Sequence, residues 1–287
     1  MRFFKCDLGG WGISMSDLLR RIVSSSIAIV LLVFLISFAF GPYFKFVVAF
    51  VVALVTAIAI WEYGQFVKAK GGRMIFPALI VLSVAQGIAF FLSPQFTPFK
   101  GWPIIVFLVA MLILFALHFK EKEGAIVDLA VSSFGLLYIA VPMGMILGIL
   151  YSDKGDGRWW LTYLIVVTKI ADIGAYFAGN LWGKRKLAPN ISPKKTIEGA
   201  IFGLLCAVIA SFAFFALSGN PTTYDWLFLG LLLGIVGQFG DLSESLLKRD
   251  ANKKDSNSVP GLGGILDAVD SILFNAPIIY TYLYFIL

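Results

Sequence analysis

Glu198-Gly-Ala-Ile-Phe-Gly-Leu-Leu-Cys-Ala-Val-Ile-Ala-Ser-Phe-Ala-Phe-Phe-Ala-Leu-Ser218 carries a single charge in its whole length. A helix that crosses a hydrocarbon core about 30 Å thick needs roughly 20 mostly apolar residues at about 1.5 Å each, and this stretch supplies them. Working outward, eight more such runs are found, at about 22–40, 43–61, 75–93, 102–118, 125–150, 159–182, 225–247 and 271–287. Gly, Pro and charge clusters separate the nine. Backbone surrounded by lipid must satisfy its own hydrogen bonds, so runs of this length read as helices. The expected fold is an all-α, polytopic membrane bundle of about nine transmembrane helices.

Composition agrees. The chain is 59% hydrophobic and only 14% charged, with a mean hydropathy of +0.89, which leaves too little polar surface to cover a water-soluble globule. Cys6 and Cys206 are far apart, and the second lies in an apolar run, which argues against a disulfide framework or a thiolate metal cluster. With His118 as its one histidine, the sequence excludes a His-rich metal site. The net charge of +6 fits loops facing anionic lipid rather than nucleic acid. The polar stretch Asp7 to Arg21 precedes the first run, so a cleaved leader is not expected.

Eighteen of the 23 Lys and Arg residues fall in alternate inter-helix segments: Arg2 to Arg21, Lys68 to Arg73, Lys120 and Lys122, Lys184 to Lys195, and Lys248 to Lys254. Lys45, Lys100, Lys154 and Arg158 fall in the other set, and Lys169 lies within a run. The positive-inside rule then predicts an N-in, C-out orientation. Loops 183–197 and 248–270 would face the cytoplasm. Inspection finds no internal repeat, and nine spans do not divide into inverted halves, which disfavours a transporter. The chain is read as an N-terminal set of helices, 1–150, and a C-terminal region, 151–287, that holds the loops 183–197 and 248–270.

Acids in apolar runs are costly and usually face a bundle interior or a partner. Glu62 and Asp128 are isolated, and each reads as a residue paired locally rather than as part of a site. Asp172, Tyr176 and Gly179 fall at i, i+4 and i+7 on one helical face, with Lys169 three residues before Asp172. An interhelical salt bridge with close small-residue packing explains these as well as a site does. Ser192, Pro193, Lys194, Lys195, Thr196 and Glu198 join a basic loop to a helix start, a combination that collects phosphates or simply anionic head groups. Asp241, Glu244, Ser245 and Lys248 sit at i, i+3, i+4 and i+7, a polar stripe ending in Lys248-Arg249. Lys254-Asp255 and the turn Gly261-Leu262-Gly263-Gly264 follow, and Asp267 and Asp270 open the last helix. Carboxylates beside cations and exposed glycine backbone describe a metal and nucleotide site, because Mg2+ favours carboxylate oxygens together with substrate phosphates.

At these residues the sequence resembles the phosphatidate cytidylyltransferase family. Its signature, Ser-x-x-Lys-Arg, Lys-Asp and Pro-Gly-His-Gly-Gly-x-x-Asp-Arg-x-Asp, is matched by Ser245, Lys248, Arg249, Lys254, Asp255, Pro260, Gly261, Gly263, Gly264, Asp267 and Asp270. The stretches Asp172 to Tyr176 and Ser192 to Gly199 also match. The resemblance covers about 170–271 closely and the first half by hydropathy alone. It implies transfer of CMP from CTP to phosphatidic acid, with Mg2+, alone or with a second cation, at a cytoplasm-facing site in a bacterial inner membrane, and a homodimer as the expected assembly. Asp241 and Asp267 are then the leading metal ligands, with Glu244, Asp172 and Asp270 as alternates or supports. Lys194, Lys195, Lys248 and Arg249 bind phosphate, and Gly261, Gly263 and Gly264 allow close backbone approach. Tyr176, Ser192, Thr196, Glu198, Ser245, Lys254 and Asp255 complete the substrate-binding set. Leu262 stands where the signature has His and Ala268 where it has Arg, so the chain as written is expected to be weak or inactive. A CTP-dependent polyprenol-type lipid kinase and a non-enzymatic membrane transporter are the alternatives.

Overall fold

The structure, a computed structural model, describes residues 15–94, 101–119, 123–218, 224–253 and 264–286. Its helices are α1 (Met15–Phe38), α2 (Phe44–Ala69), α3 (Phe76–Leu92), α4 (Trp102–His118), α5 (Ala125–Gly135), α6 (Val141–Leu150), α7 (Gly157–Trp182), α8 (Ile197–Leu217), α9 (Asp225–Asp250) and α10 (Ile265–Thr281). A π-helical turn, Leu136–Ala140, joins α5 and α6 into one rod over 125–150, and a second π turn, Tyr282–Ile286, follows α10. The helical rods overlie the apolar runs. Five of them, α2, the 125–150 rod, α7, α8 and α9, are long and apolar enough to cross a membrane, and α3, α4 and the apolar part of α1 are shorter apolar helices. The chain is an integral membrane protein.

Two details differ from the expected all-α plan. Residues 183–197 contain a small antiparallel ribbon, β1 (Lys186–Ala188) and β2 (Ser192–Thr196), with Lys186 opposite Thr196 and Ala188 opposite Ser192. Its strands are too short and polar to give a hydropathy signal. The last helix starts at Ile265, six residues before the apolar run, because Asp267 and Asp270 lower local hydropathy without breaking the helix.

α7 and α8 cross closely along a seam of small residues. Gly203 is one of its close points: a Cβ there would lie 2.8 Å from the Ala171 carbonyl oxygen and 2.8 Å from the Ala175 Cβ. Small residues let helix backbones approach in lipid, where no hydrophobic effect drives helices together. Gly203→Val is therefore expected to destabilise the bundle by about 1–3 kcal/mol through overpacking. A lowered midpoint of thermal unfolding in detergent checks it, and an unchanged midpoint would mean the seam relaxes freely.

Polar groups between the helices pair with one another. Asn275 of α10 donates from Nδ2 to Thr168 Oγ1 of α7 at 2.9 Å and to the Leu233 carbonyl of α9 at 3.1 Å. Tyr163 and Ser211 join α7 to α8 at 2.7 Å. Both hydrophobic cores draw on both halves of the chain: one packs Leu35 and Val48 with Leu161, Leu233 and Leu283, the other Ile60 and Leu136 with Leu266 and Leu273.

Tertiary contacts sort the connections between helices into two ends. At one end the Arg73 amide donates to Asp128 Oδ1 at 2.8 Å, Lys70 pairs with Asp250 at 2.9 Å, and Arg249 Nε donates to the Ile191 carbonyl at 3.1 Å. Segments 70–73, 123–128, 183–197 and 248–253 thus gather together. At the other end the Tyr151 hydroxyl donates to the Ala39 carbonyl at 3.2 Å and to the Lys45 carbonyl at 3.3 Å.

Candidate active site

The gathered end holds the acids and cations singled out above. On α9 the polar stripe folds inward: Glu244 is fully buried, Ser245 is buried, and Asp241 and Lys248 are half-buried. Helical spacing puts these four on one face.

Lys248 is the hub of one group. Its Nζ pairs with Glu244 one turn earlier and with Asp267 Oδ1 of α10 at 2.6 Å, and its side chain is only 13% exposed. Lys248, assigned above to phosphate binding, is thus first the bridge between two carboxylates. Asp241 heads a second group, and its Oδ2 pairs with Lys195 Nζ of β2 at 2.7 Å. Successive side chains on a strand point to opposite faces. Lys195 consequently turns inward to Asp241 while Lys194 is exposed to solvent.

A third group lies deeper. Lys169 Nζ is 3.4 Å from Asp172 Oδ2, and Ser271 Oγ donates to Asp172 Oδ1 at 3.4 Å. Asp270, buried on α10, accepts the Ser271 amide at 2.6 Å, and it interacts electrostatically with Asp241, Lys169 and Asp172. The helix-face reading of Asp172 thus acquires a partner on α10, and Gly179 packs against Gly199 and Thr196 of the α7–α8 crossing. Tyr176 is exposed on α7 beside Phe177, and its role in the site gains no contact from the fold.

Several residues expected to bind substrate shape the loops instead. Thr196 caps α8, its Oγ1 accepting the Gly199 amide at 3.2 Å. The Glu198 carboxylate accepts the Lys184 amide at 3.1 Å and the Arg185 amide at 3.2 Å, closing the loop before the ribbon. Arg249 spends Nε on the Ile191 carbonyl and Nη1 on the Lys253 carbonyl, locking the ribbon to the end of α9. Ser192, half-buried, pairs in register with Ala188. Lys254, Asp255, Gly261, Leu262 and Gly263 lie outside the described residues.

Gly264 caps α10 with extended backbone and no side-chain hydrogen bond. The cap comes from Glu62 of α2. Its Oε1 accepts the Ile265 amide at 2.9 Å and its Oε2 the Leu266 amide at 2.7 Å. The amides after Gly264, expected to approach phosphate, are therefore already taken by a carboxylate. Glu62 stands isolated in its apolar run and reads there as paired locally, whereas its partners lie about 200 residues away. Tyr138 lies on the first π turn. Its buried hydroxyl has no hydrogen-bond partner among the described residues, and it interacts electrostatically with Glu244, Asp270 and Asp241. Its position in an apolar run gave no local signal.

Among the described residues no three His, Cys, Asp or Glu side chains converge as a preformed metal cage. Carboxylates occur instead beside single lysine ammoniums, which suits a cation that arrives with a polyanionic ligand. The arrangement can neutralise and orient phosphates at one end of a membrane bundle.

The comparisons match this picture along the chain. The profile of the Cytidylyltransferase family matches residues 19–286. The phosphatidate cytidylyltransferase of Chlamydia pneumoniae is 36% identical, over 98% of this chain and 95% of the relative. Those of Synechocystis sp. and Bacillus subtilis are 34% and 33% identical, each over 93% of this chain and 97% of the relative. With that match spanning the acidic and basic residues of α7 to α10, the chain belongs to the cytidylyltransferase family.

Proposed function

We propose that this protein transfers CMP from CTP to phosphatidic acid, forming CDP-diacylglycerol and pyrophosphate in a bacterial cytoplasmic membrane. The observation that carries the reading is the meeting of Lys195–Asp241 and Glu244–Lys248–Asp267 at one end of an apolar bundle, in a chain that matches its family from end to end. The lipid phosphate is already a nucleophile. Its oxygen bonds to the α-phosphorus of CTP while the bond to the β-phosphate oxygen breaks, so no Ser/His/Asp triad is needed. What the chain must do is bring two polyanions together and stabilise the charge that develops.

In this reading Asp241 and Asp267 hold Mg2+ together with CTP phosphates, with Glu244, Asp172 and Asp270 supporting them. The residues fit the ion, because Lys248 Nζ between Glu244 and Asp267 marks a place where positive charge is already stabilised. Bound Mg2+ supplies Lewis-acid charge at the phosphoryl oxygens. Lys194 and Lys195 receive phosphate from the solvent side, Lys195 by exchanging its partner Asp241 for substrate. A second cation and a homodimer remain parts of the proposal. A monomeric mass in light scattering of the active, detergent-solubilised protein would remove the dimer.

The expectation of a weak catalyst rested on the absence of His at Leu262 and Arg at Ala268. Lys248 pairs with Asp267, the neighbour of Ala268, but it is itself a signature position and so does not replace the missing arginine. The chain is read as a transferase of reduced rate. Ala268→Arg is expected to raise the initial rate by about 10²–10³, the size of a transition-state contact. An unchanged rate would show that the arginine contact is not needed in this chain.

Radiolabel decides the reaction class. Label from α-labelled CTP should enter lipid and label from γ-labelled CTP should leave as pyrophosphate; γ-label in lipid would make the protein a kinase. Orientation is tested separately, because nine spans with N-in, C-out topology place loops 183–197 and 248–270 in the cytoplasm. Single cysteines introduced there should resist an impermeant maleimide in intact cells, and labelling of either would reverse the orientation.

A further inference from the structure

We propose that Glu62 is a positioning residue for the active site: from α2, in the other half of the chain, it fixes the first turn of α10 and so places Asp267 and Asp270. This rests on the cytidylyltransferase reading. Glu62 is fully buried, and its two oxygens accept the Ile265 and Leu266 amides at 2.9 and 2.7 Å. A helix start leaves its first amides without partners and carries partial positive charge, and a carboxylate answers both. Gly264 occupies the cap and has no side chain to do this.

Other contacts point the same way. Much of the family signature lies between α9 and α10 in the sequence, and α2, with Lys70 just after it, holds both the end of α9 and the start of α10. Lys70 pairs with Asp250 at 2.9 Å, Lys253 Nζ lies 5.7 Å from the centre of the Phe66 ring, and Ala251 and Leu266 share a core with Ile60, Tyr63 and Phe66. Asp267 is the third residue of α10 and Asp270 the sixth. A shift in the first turn moves both carboxylates relative to Lys248 and Asp241. Ground-state binding of CTP, shared among many cations, is less sensitive to such a shift than the transition state, where misplacement of about 1 Å costs as much as 10² in rate. The polar anchor is also directional. An apolar contact would let α10 slide or rotate, whereas two hydrogen bonds to one carboxylate fix both its depth and its azimuth.

Glu62→Gln retains shape but turns an amide NH2 toward one backbone donor, and Glu62→Asp retains both oxygens on a stem one methylene shorter. Asp128→Asn is the control. Asp128 is another buried carboxylate that accepts a backbone amide at the same end, and it lies outside the site. Hydrogen exchange at residues 265–268 should accelerate at least about tenfold in Glu62→Gln and less in Glu62→Asp, with exchange in α7 and α8 unchanged. In the same order kcat should fall, by at least about tenfold for Glu62→Gln, while KM for CTP stays within about threefold. Asp128→Asn should alter neither. Unchanged exchange at 265–268, or faster exchange with unchanged kcat, would overturn the proposal. So would a rise in KM that accounts for the whole loss. The exchange arm reads the hold on α10 without turnover, so a parent protein that fails to transfer CMP would count against the enzymatic reading separately.

Discussion

Asp241→Asn and Asp267→Asn should each lower CMP transfer by at least about 10²–10³-fold while the bundle stays folded. Each substitution preserves side-chain volume and removes one charge. The stability cost is small for Asp241, whose side chain is 37% exposed in its pair with Lys195, since solvent-screened pairs contribute about 0–1 kcal/mol. In the proposed reading the catalytic cost is large, because a carboxylate that would hold a divalent ion would act on charge developing in the transition state, where a lost contact commonly removes that factor. Initial rates with α-labelled CTP, measured across a Mg2+ series, check it. Rates near parental in both variants at saturating Mg2+ would take these carboxylates out of the chemistry.

Lys248→Met is expected to have the largest effect on stability. It removes the cation from a fully buried Glu244 and a mostly buried Asp267. Breaking a buried pair by deleting one partner commonly costs about 3–5 kcal/mol, because a charge is left without compensation. Replacing Glu244 as well removes the more deeply buried of the two carboxylates left behind. The double substitution Glu244→Gln, Lys248→Met should therefore recover most of the lost thermal midpoint without recovering the rate, since the positive charge beside Asp267 is still missing. Thermal unfolding and initial rates of the two singles and the double close the cycle. Equal destabilisation of the double and of Lys248→Met would mean that Glu244 finds another partner. Recovery of the rate would mean that Lys248 serves the fold alone.

Much of the site was legible because α9 carries it locally. Asp241, Glu244, Ser245 and Lys248 recur at helical spacing inside an apolar run, where polar groups are too costly to be incidental, and they do share one inward face. The acids at 267 and 270 were legible for the same reason. Thr196, Glu198 and Arg249 were legible as polar residues but not as the loop-forming groups they are. Their partners are backbone amides and carbonyls, which every residue offers and no side-chain pattern marks.

The membrane bundle, the places where its helices run and the helical faces on which charge collects can all be read from the chain. Those features follow from apolar length against bilayer thickness and from the 3.6-residue period, and both are local. Which carboxylate meets which cation emerges from the packing of the helices. Lys195 chose Asp241, Lys248 joined Glu244 to Asp267, and Glu62 reached the amides of Ile265 and Leu266. Each of these pairings except Lys248 with Glu244 lies between different elements of the fold. A charge in an apolar run must find a partner, but its own sequence neighbourhood does not say which one, because the energy depends on distance and burial that exist only once the helices have packed.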